Sequence, residues 1–499
     1  MYILVINLGL KNVRSIIFDY QGREIKNVSL PLESFVSGVC VEQDASDWWE
    51  KTKQVVIKSL EESSIRNNVK YLTVTCSSSC LVTVDRGLTP LRRVIMVSDR
   101  RAIKEAKSLS IDASLMIPKI AWVNNNEPKR SGDIKYLSPN DFLIAKLTGR
   151  FITDSLNAEK FHWDARTRAY PQKILKELNL KEEQFPEVVD PGTNIGRLNP
   201  EVIKELGLNS EAEMIVTTYD AIGAVFGSGV MGEKDACDVS GTVTSLRTVV
   251  LQKNFTLKDS KLFAQPFALM GSDLTIVGGS NNQGGSLIEW LKQVFYQDAS
   301  SPYDLLEKEA AASVPGARGL IFLPYLLGER APIWNPDATG VFFGLQRFHN
   351  RHDMARAVLE STGFISKSIL EELEQNNIVI DNIKLSGGLA RIRLVSQLKA
   401  DITGKVVYLP ENFEASAYGV FILACVGAKI YPDLATAVNT LVRFKEKIIP
   451  NQENYLKYSE TYQLFKKLYG ALSDTFRERK EMMAKIYSTE DLSDKIKNL

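Results

Sequence analysis

The chain has 499 residues, of which 44% are hydrophobic and 24% charged, a composition typical of globular proteins and unlike that of a disordered chain or a fibre. Its 61 basic and 60 acidic side chains nearly cancel, so we expect no broad electrostatic capture of nucleic acid or of an anionic membrane. The length exceeds that of one ordinary hydrophobic core and favours two domains or more.

The N-terminal segment and the cysteines indicate in which cellular compartment the protein is expected. The segment MYILVINLGLKNVRSIIFD opens apolar, but Asn7, Lys11 and Arg14 interrupt it before a signal peptide or a membrane span could form. Five scattered cysteines argue against a disulfide framework and for a reducing compartment. Only Cys76 and Cys80 lie close together, and since all three histidines are elsewhere, we interpret this pair as buried thiols rather than a zinc site. We therefore expect a cytoplasmic protein.

The first elements in chain order have the pattern of an α/β domain. Residues 2–7 and 13–19 are strand-like segments around a short turn that contains Gly9, and they predict a β-hairpin. A helix is predicted at 47–62. Three further strand-like segments follow it: YLTVTCSSS, LVTVD and RVIMV. Strands and helices arranged in this way predict an α/β fold.

The same order of elements returns in the second half. Residues 235–251 predict another hairpin, with a Gly-Thr turn, and residues 387–404 place a glycine turn before a helix. Two halves that each begin with a glycine-containing hairpin indicate a duplicated domain with a cleft between the copies.

Domain boundaries follow from this duplication. We place one domain at 1–234 and a second at 235–452, followed by a helical tail at 453–499. The part of the tail at 453–486 is amphipathic, so we expect it to pack on the body of the protein. The last dozen residues are polar and are expected to fray.

A single carboxylate stands out in the segment Thr217–Gly229, TTYDAIGAVFGSG. Asp220 begins a helix-like run of small and apolar residues, and a lone Asp at such a place is most often an N-cap. A functional carboxylate is the alternative. The segment DVSGTVTSL at 238–246 favours it, because glycine and hydroxyl groups can bind a phosphate, although such a motif alone is most often an ordinary turn.

Longer segments resemble a known family. Gly340–Glu360, GVFFGLQRFHNRHDMARAVLE, resembles the signature of the FGGY family of carbohydrate kinases at every constrained position. The preceding segment, LPYLLGERAPIWNPDATG, is similar to that family's LPYLxGERxPxWDPxAxG block. Further similar segments in the first half keep the family's order: VEQDASDWWE, YLSPNDFLIAKLTGRFITD and FPEVVDPGTNIGRL. The resemblance therefore covers nearly the whole chain.

The resemblance implies a fold and an activity. The fold would be a pair of ribonuclease-H-like domains of the actin-like ATPase superfamily flanking a catalytic cleft, in agreement with the duplicated hairpins. The activity would be phosphoryl transfer from ATP to a sugar, in a xylulokinase-like or gluconate-kinase-like enzyme that closes on the cleft. Asp220 matches the family's general base, which accepts the proton of the attacking hydroxyl. The implied partners are a sugar and ATP with Mg²⁺; the oligomeric state stays open, with a homodimer among the options.

The same matching assigns the remaining site residues. The residues placed at ATP are Gly9, Arg14, Gly241, Thr242, Gly285, Gly387 and Gly388. The residues placed at the metal are Asn7 and Asp220, and those placed at the substrate are Ser78, Ser79, Asp99 and Asp220. The alternatives are that the glycines only form turns and that the serines only end a strand.

Several positions depart from the family pattern. Asn7 and Leu10 replace an Asp and a Thr of the first hairpin, Tyr219 replaces the Gly before the catalytic Asp, and Ile392 replaces a Ser or Asn near adenosine. An amide binds Mg²⁺ less strongly than a carboxylate does, so the metal site is expected to be weaker. Two alternatives to a kinase follow: a nucleotide-binding regulator that has lost phosphoryl transfer, and an actin- or chaperone-like ATPase, against which the intact signature Gly340–Glu360 argues.

Overall fold

The chain folds into two units in the computed structural model, which describes residues 1–128, 133–241, 243–252, 255–258, 260–269, 272–412 and 414–487. Unit 1 comprises Met1–Gly227, Pro266–Leu274 and Glu414–Leu441. Unit 2 comprises Ser228–Gln265, Thr275–Phe413 and Val442–Leu499. Glu414–Leu441 thus belongs to unit 1 although it follows most of unit 2 in the sequence. Domain boundaries that divide the chain into consecutive segments cannot describe such an arrangement. The boundaries at 1–234, 235–452 and 453–499 stay predictions.

The first part of the chain, up to residue 227, carries these strands: β1 (Tyr2–Leu8), β2 (Asn12–Asp19), β3 (Glu24–Pro31), β4 (Phe35–Ser37), β5 (Cys40–Gln43), β6 (Val69–Cys76), β7 (Val82–Val84), β8 (Val94–Ile95), β9 (Lys135–Leu137), β10 (Ile152–Asp154), β11 (Glu187–Val189), β12 (Thr193–Arg197) and β13 (Glu213–Val216). Its helices are α1 (Ala45–Ser59), α2 (Ser63–Arg66), α3 (Ile103–Leu109), α4 (Met116–Asn126), α5 (Pro139–Thr148), α6 (Ser155–Ala158), α7 (Gln172–Glu177), α8 (Pro200–Leu206) and α9 (Asp220–Gly227).

The rest of the chain carries the strands β14 (Asp235–Ser240), β15 (Thr244–Val250), β16 (Phe263–Leu269), β17 (Ser272–Asn281), β18 (Ile321–Pro324), β19 (Gly340–Phe343), β20 (Asn382–Ser386), β21 (Val406–Pro410) and β22 (Phe444–Ile448). Its helices are α10 (Gly285–Phe295), α11 (Pro302–Ala312), α12 (Arg351–Gln375), α13 (Arg393–Thr403), α14 (Ala415–Gly427), α15 (Leu434–Leu441) and α16 (Gln452–Ile486).

Each unit is built on a mixed sheet, and the two sheets have the same topology. The six-stranded sheet of unit 1 has the order β12-β13-β6-β1-β2-β3, and the seven-stranded sheet of unit 2 has the order β16-β17-β15-β14-β20-β21-β22. In unit 1, β1 pairs antiparallel with β2 and parallel with β6. In unit 2, β14 pairs antiparallel with β15 and parallel with β20. The predicted duplication of an α/β domain is therefore confirmed.

The local predictions are confirmed with small shifts. Both predicted hairpins are present, and the helix predicted at 47–62 is α1, which begins after the capping residue Asp44. The segment YLTVTCSSS forms a strand only as far as Cys76, because the chain then turns and Ser79 takes a left-handed conformation with φ of 63°. The glycine turn and helix expected at 387–404 are present as well, the helix being α13.

The C-terminal helix α16 packs within unit 2. Its buried side chains Tyr458, Tyr462 and Phe465 join the apolar cluster that contains Phe364 of α12. The last dozen residues, predicted to fray, lie outside the described part of the chain. Among the residues that are described, no helix combines the length and the apolar character needed to cross a membrane.

Two helices of unit 1, α9 and α14, cross so closely that their contact requires glycine. A Cβ atom at Gly227 would lie 1.9 Å from the Ala415 carbonyl oxygen, and one at Gly419 would lie 1.7 Å from the Gly223 carbonyl oxygen. Such distances are far below van der Waals contact, so the two backbones touch directly. Because α9 begins with Asp220, this crossing fixes the position of that carboxylate's helix.

We predict that Gly419→Ala destabilises the protein by about 1–3 kcal/mol or more, since an extra methyl group in a closed contact forces the backbones apart. The matched control is Gly470→Ala in α16, where a Cβ atom would meet no heavy atom within 4 Å. That control should stabilise its helix by roughly 0.5–1 kcal/mol, because alanine loses less conformational freedom than glycine on folding. Urea denaturation of both variants measures the difference. Equal stability of the two would contradict the close crossing.

Candidate active site

Four of the residues predicted to bind sugar and metal converge at one edge of the sheet of unit 1: Asn7, Ser78, Ser79 and Asp220. Strands β1, β6 and β13 are neighbours and run parallel. Their carboxyl ends carry Asn7 in β1, the serines that follow β6, and the segment Thr217–Asp220 that follows β13. Ligands bind at the carboxyl ends of parallel strands in α/β sheets, because loops and helix N-termini meet there. This edge is therefore the candidate site of unit 1.

Asp220 is the first residue of α9, and its carboxylate points toward the end of β6. The Gly223 amide donates to the Tyr219 carbonyl at 3.0 Å, so the helical bonding begins at Tyr219 and Asp220 lies inside the first turn rather than before it. The Ser77 hydroxyl donates to Asp220 Oδ2 at 2.9 Å. The first turn of a helix favours a negative charge, so Asp220 sits where an ionised carboxylate is stabilised.

The serines after β6 are held by a buried lysine. Lys119 of α4 is 0% exposed, and its Nζ donates to the carbonyl oxygens of Ser79 at 2.5 Å and of Ser114 at 2.9 Å. Burial lowers the pKa of this ammonium group to about 8. Ser78 is half-buried and Ser79 is buried. Lys119 thus fixes the turn that carries the predicted substrate residues and Ser77.

Asp99 lies in an ion-pair network. Its carboxylate accepts from the Arg101 side chain at 2.7 Å and from the Val41 amide at 2.7 Å, and the side chain is 0% exposed. Burial alone would raise the pKa of Asp99, but the bonds from Arg101 and from the Val41 amide outweigh it and hold the pKa below its ordinary value. Arg101 also pairs with Glu42 at 2.8 Å. Asp99 therefore positions Arg101 in this structure, and its contact with a sugar stays a prediction.

The first hairpin brings Asn7, Gly9 and Arg14 to the same sheet. Asn7 is 3% exposed and stands opposite Arg14 in the pairing of β1 with β2. The Gly9 amide donates to the Asn12 carbonyl at 2.9 Å and so closes the turn. Arg14 forms an ion pair with Glu414, which precedes α14. The arginine predicted at ATP is thus engaged by a carboxylate of its own unit.

The donors of unit 1 fit a magnesium ion. Asp220 offers a carboxylate and Asn7 an amide oxygen at the same sheet edge. Mg²⁺ is commonly bound by one or two carboxylates, while water and substrate phosphates complete its coordination. Among the described residues, no group of three or more His, Cys, Asp and Glu side chains could form a site made of protein ligands alone.

Four of the five glycines predicted at ATP lie at the corresponding edge of unit 2, whereas Gly9 lies in unit 1. The Gly285 amide, at the start of α10, donates to the Gly241 carbonyl at 2.7 Å. Gly387 follows β20 with φ of 86°, and a Cβ atom there would lie 2.6 Å from the Ser240 carbonyl oxygen. A Cβ atom at Gly388 would meet no heavy atom within 4 Å. Thr242 lies outside the described residues.

A buried polar cluster below Gly241 was not foreseen from the sequence. Asp238 of β14 forms an ion pair with Lys399 of α13, and both side chains are 0% exposed. Ser240 donates to Asp238 Oδ1 and Ser366 donates to Asp238 Oδ2, each at 2.7 Å. Nothing local in the sequence indicates this cluster, because Lys399 lies 161 residues after Asp238. Lys119 was missed too, although a lysine inside the apolar run MIPKIAW was a usable signal, and the bond from Ser77 to Asp220 was not foreseen.

Comparison with known proteins agrees with this arrangement. The N-terminal domain model of the FGGY family of carbohydrate kinases matches residues 2–227, and the C-terminal domain model matches residues 239–428. A gluconokinase of Bacillus licheniformis is 25% identical, over 96% of this chain and 97% of the relative. A xylulose kinase of Staphylococcus epidermidis is 27% identical, over 94% of this chain and 96% of the relative.

Solved structures confirm the fold. The crystal structure of ligand-bound xylulose kinase from Lactobacillus acidophilus matches with a TM-score of 0.87 at 23% identity, over 96% of this chain and 99% of that one. The predicted actin-like pair of α/β domains is thereby confirmed. With both domain models matched in order, the chain belongs to the FGGY family of carbohydrate kinases, which are phosphotransferases with an alcohol group as acceptor.

Proposed function

We propose that this protein transfers the γ-phosphate of ATP to a hydroxyl group of a ketose, a polyol or a sugar acid, with Asp220 as the general base. Kinases of the FGGY family use ATP, and membership of this family argues against an actin- or chaperone-like ATPase. The observation that carries the proposal is the position of Asp220, at the start of α9 with a hydrogen bond from Ser77. The relatives named gluconokinase and xylulose kinase support this range of acceptors.

The chemistry required of Asp220 is modest. The acceptor oxygen attacks the γ-phosphorus, the bond from that phosphorus to the bridging oxygen breaks, and ADP leaves. The proton of the acceptor hydroxyl passes to the Asp220 carboxylate, which needs only to lie within hydrogen-bond reach. Ser77 donates to Oδ2 of that carboxylate at 2.9 Å and so helps to orient it. Ser78 and Ser79 would donate to further hydroxyl groups of the sugar.

A magnesium ion would be held by Asp220 and Asn7 together with the phosphates of ATP. When bound, it supplies positive charge that offsets the charge of the transferring phosphoryl group. Asn7 provides an oxygen without a full negative charge, so the ion should bind less tightly than at a carboxylate. Leu10, which is 43% exposed, cannot offer a phosphate the hydroxyl hydrogen bond of a threonine.

The nucleotide would bind at the glycine edge of unit 2. Gly241 follows β14, and Gly285 begins α10, a helix of 11 residues. The N-terminus of such a helix can bind a phosphate through its free amides, although the Gly285 amide already donates to the Gly241 carbonyl. Gly387 and Gly388 would border the adenosine, as they do in the family that the sequence resembles. The alternative that these glycines only form turns is best supported at Gly387. The close contact with the Ser240 carbonyl oxygen already requires glycine at that position.

The cluster around Asp238 and Lys399 would hold the nucleotide loop in place. Ser240 immediately precedes Gly241, and its hydroxyl group is bound to Asp238 at 2.7 Å. Lys399 Nζ lies 3.2 Å from the same hydroxyl oxygen. A loop fixed from below by a fully buried ion pair loses little freedom when it binds a phosphate, so its amides are preorganised.

A second candidate is a nucleotide-binding regulator that has lost phosphoryl transfer. The replacement of the family's Asp and Thr by Asn7 and Leu10 favours it, since both changes weaken contacts to the metal or the phosphate. Asp220 favours the kinase, because a regulator has no need of a carboxylate at the acceptor. The two candidates differ in whether any acceptor stimulates ADP release.

The first test of the base is Asp220→Asn. Asparagine can still accept the bond from Ser77 but cannot take a proton, so we expect kcat to fall by about 100-fold or more while the melting temperature and ATP binding change little. The measurement is acceptor-dependent ADP release. The control is Asp298→Asn, which removes an exposed carboxylate of unit 2 and should leave kcat unchanged. A kcat for Asp220→Asn close to that of the parent would remove Asp220 from its role.

The second test concerns the cluster below Gly241. Lys399→Met leaves Asp238 buried without its cation, and we expect a loss of about 3–5 kcal/mol in the free energy of unfolding. Replacing both residues, by Asp238→Leu with Lys399→Met, should recover much of that loss, because no buried charge then remains. Denaturant unfolding gives the stabilities, and calorimetry gives the ATP affinities. If the single and the double variant were equally unstable, the ion pair would not be the source of the effect.

A further inference from the structure

Lys160 is a cation beside the catalytic segment of unit 1. It lies in the 3-10 turn Glu159–Phe161, which directly follows α6. Its Nζ stands 4.9 Å from the centre of the Tyr219 ring, and Tyr219 is the residue before Asp220. The Tyr219 side chain is 4% exposed and Lys160 is half-buried, so the lysine covers the ring. The turn therefore brings a positive charge to the side chain of the residue that precedes the proposed base.

The backbone of this turn is fixed. Asp154 caps α6 by accepting from the amides of Leu156 at 3.1 Å and Asn157 at 3.3 Å. The His162 amide donates to the Glu159 carbonyl at 2.9 Å, and His162 takes a left-handed conformation with φ of 61°. The lysine thus extends from a closed turn, and the ring of Tyr219 holds its ammonium group by a cation–π contact.

Lys160 differs from Lys119, Arg101 and Arg14, three other cations of unit 1 that are already engaged. Lys119 is fully buried and bound to two carbonyl groups. Arg101 is paired with Asp99, and Arg14 with Glu414. In the described part of the chain, no carboxylate forms an ion pair with Lys160. An anionic ligand would give this ammonium group a counter-ion.

The ring of Tyr219 and Lys160 act together. Tyr219 stands where the resembled family has a glycine, and a glycine could not support a lysine at this place. The chain therefore combines two features beside Asp220, a cation and the ring that holds it. A neutral sugar would need neither, since hydroxyl groups are matched by neutral donors and acceptors such as Ser77 and Ser78.

We infer that Lys160 binds the carboxylate of the acceptor, and that the acceptor of this kinase is a sugar acid rather than a neutral ketose. The inference rests on the proposed function, because it assigns the acceptor of the same site. Asp220 takes the proton of a hydroxyl group at one end of the acid, and Lys160 holds the carboxylate at the other. The acid binds as a polyhydroxy chain along the carboxyl edge of β6 and β13.

The test compares an acidic and a neutral acceptor in Lys160→Met, which keeps the length of the side chain and removes its charge. With gluconate, KM should rise by about tenfold or more while kcat changes little, the scale of one lost charge-assisted hydrogen bond. With xylulose, KM should not change. Lys160→Arg keeps the charge and should retain most of the affinity for gluconate. The control Lys173→Met removes an exposed lysine of α7 and should behave like the parent with both acceptors.

Two results would overturn the inference while leaving the kinase intact. One is a parent enzyme that phosphorylates xylulose with a lower KM than gluconate. The other is an equal rise in KM for both acceptors in Lys160→Met, which would make the lysine a general electrostatic support of Asp220. If the parent turned over no acceptor at all, the proposed function itself would fail. Calorimetry would then decide on Lys160, since gluconate binding that is no tighter than xylulose binding would overturn its role as well.

Discussion

The direct contact between α9 and α14 is the constraint on which the site of unit 1 depends. Gly223, Gly227 and Gly419 remove the side chains that would keep these helices apart, so their backbones touch. That contact orients α9, and α9 begins with Asp220 at the carboxyl edge of three parallel strands. A helix held by backbone contact has little freedom to shift, which suits a base that must stay within hydrogen-bond reach of its substrate. It also explains why Glu414–Leu441 belongs to unit 1 although it follows most of unit 2 in the chain.

The two units share one topology but present different residues at their candidate sites. In each, an antiparallel hairpin is followed by parallel strands, and the candidate residues lie at the carboxyl edge. At the edge of unit 1 stand a carboxylate, serine hydroxyl groups and a lysine, which suit a polar acceptor molecule. At the edge of unit 2 stand Gly241 and Gly285, joined by a backbone hydrogen bond of 2.7 Å, with a buried ion pair below them. In the proposed kinase, side chains would face the acceptor in the first case, and backbone amides would face the phosphates in the second.

Much of the fold could be predicted because its signals are local. The two hairpins, α1 and α13 were evident from apolar periodicity and glycine turns, and the duplication followed from their repetition. The contacts that build the sites join residues far apart in sequence, such as Ser77 with Asp220, which are separated by 143 positions, and no local pattern encodes them.

The family signature Gly340–Glu360 matched well, but it said little about which residues form the candidate site. Arg356 and Glu360 of that segment bond to each other and to Tyr458 of α16, so they stabilise unit 2. The signature therefore identified the family, while the candidate base had to be found from a separate segment. The most direct measurement for the central claim is acceptor-dependent ADP release with magnesium and ATP across a panel of pentuloses, hexuloses, polyols and sugar acids. The account predicts turnover with at least one acceptor above the rate without any. Tight nucleotide binding without turnover across the whole panel would contradict it and would favour the regulator.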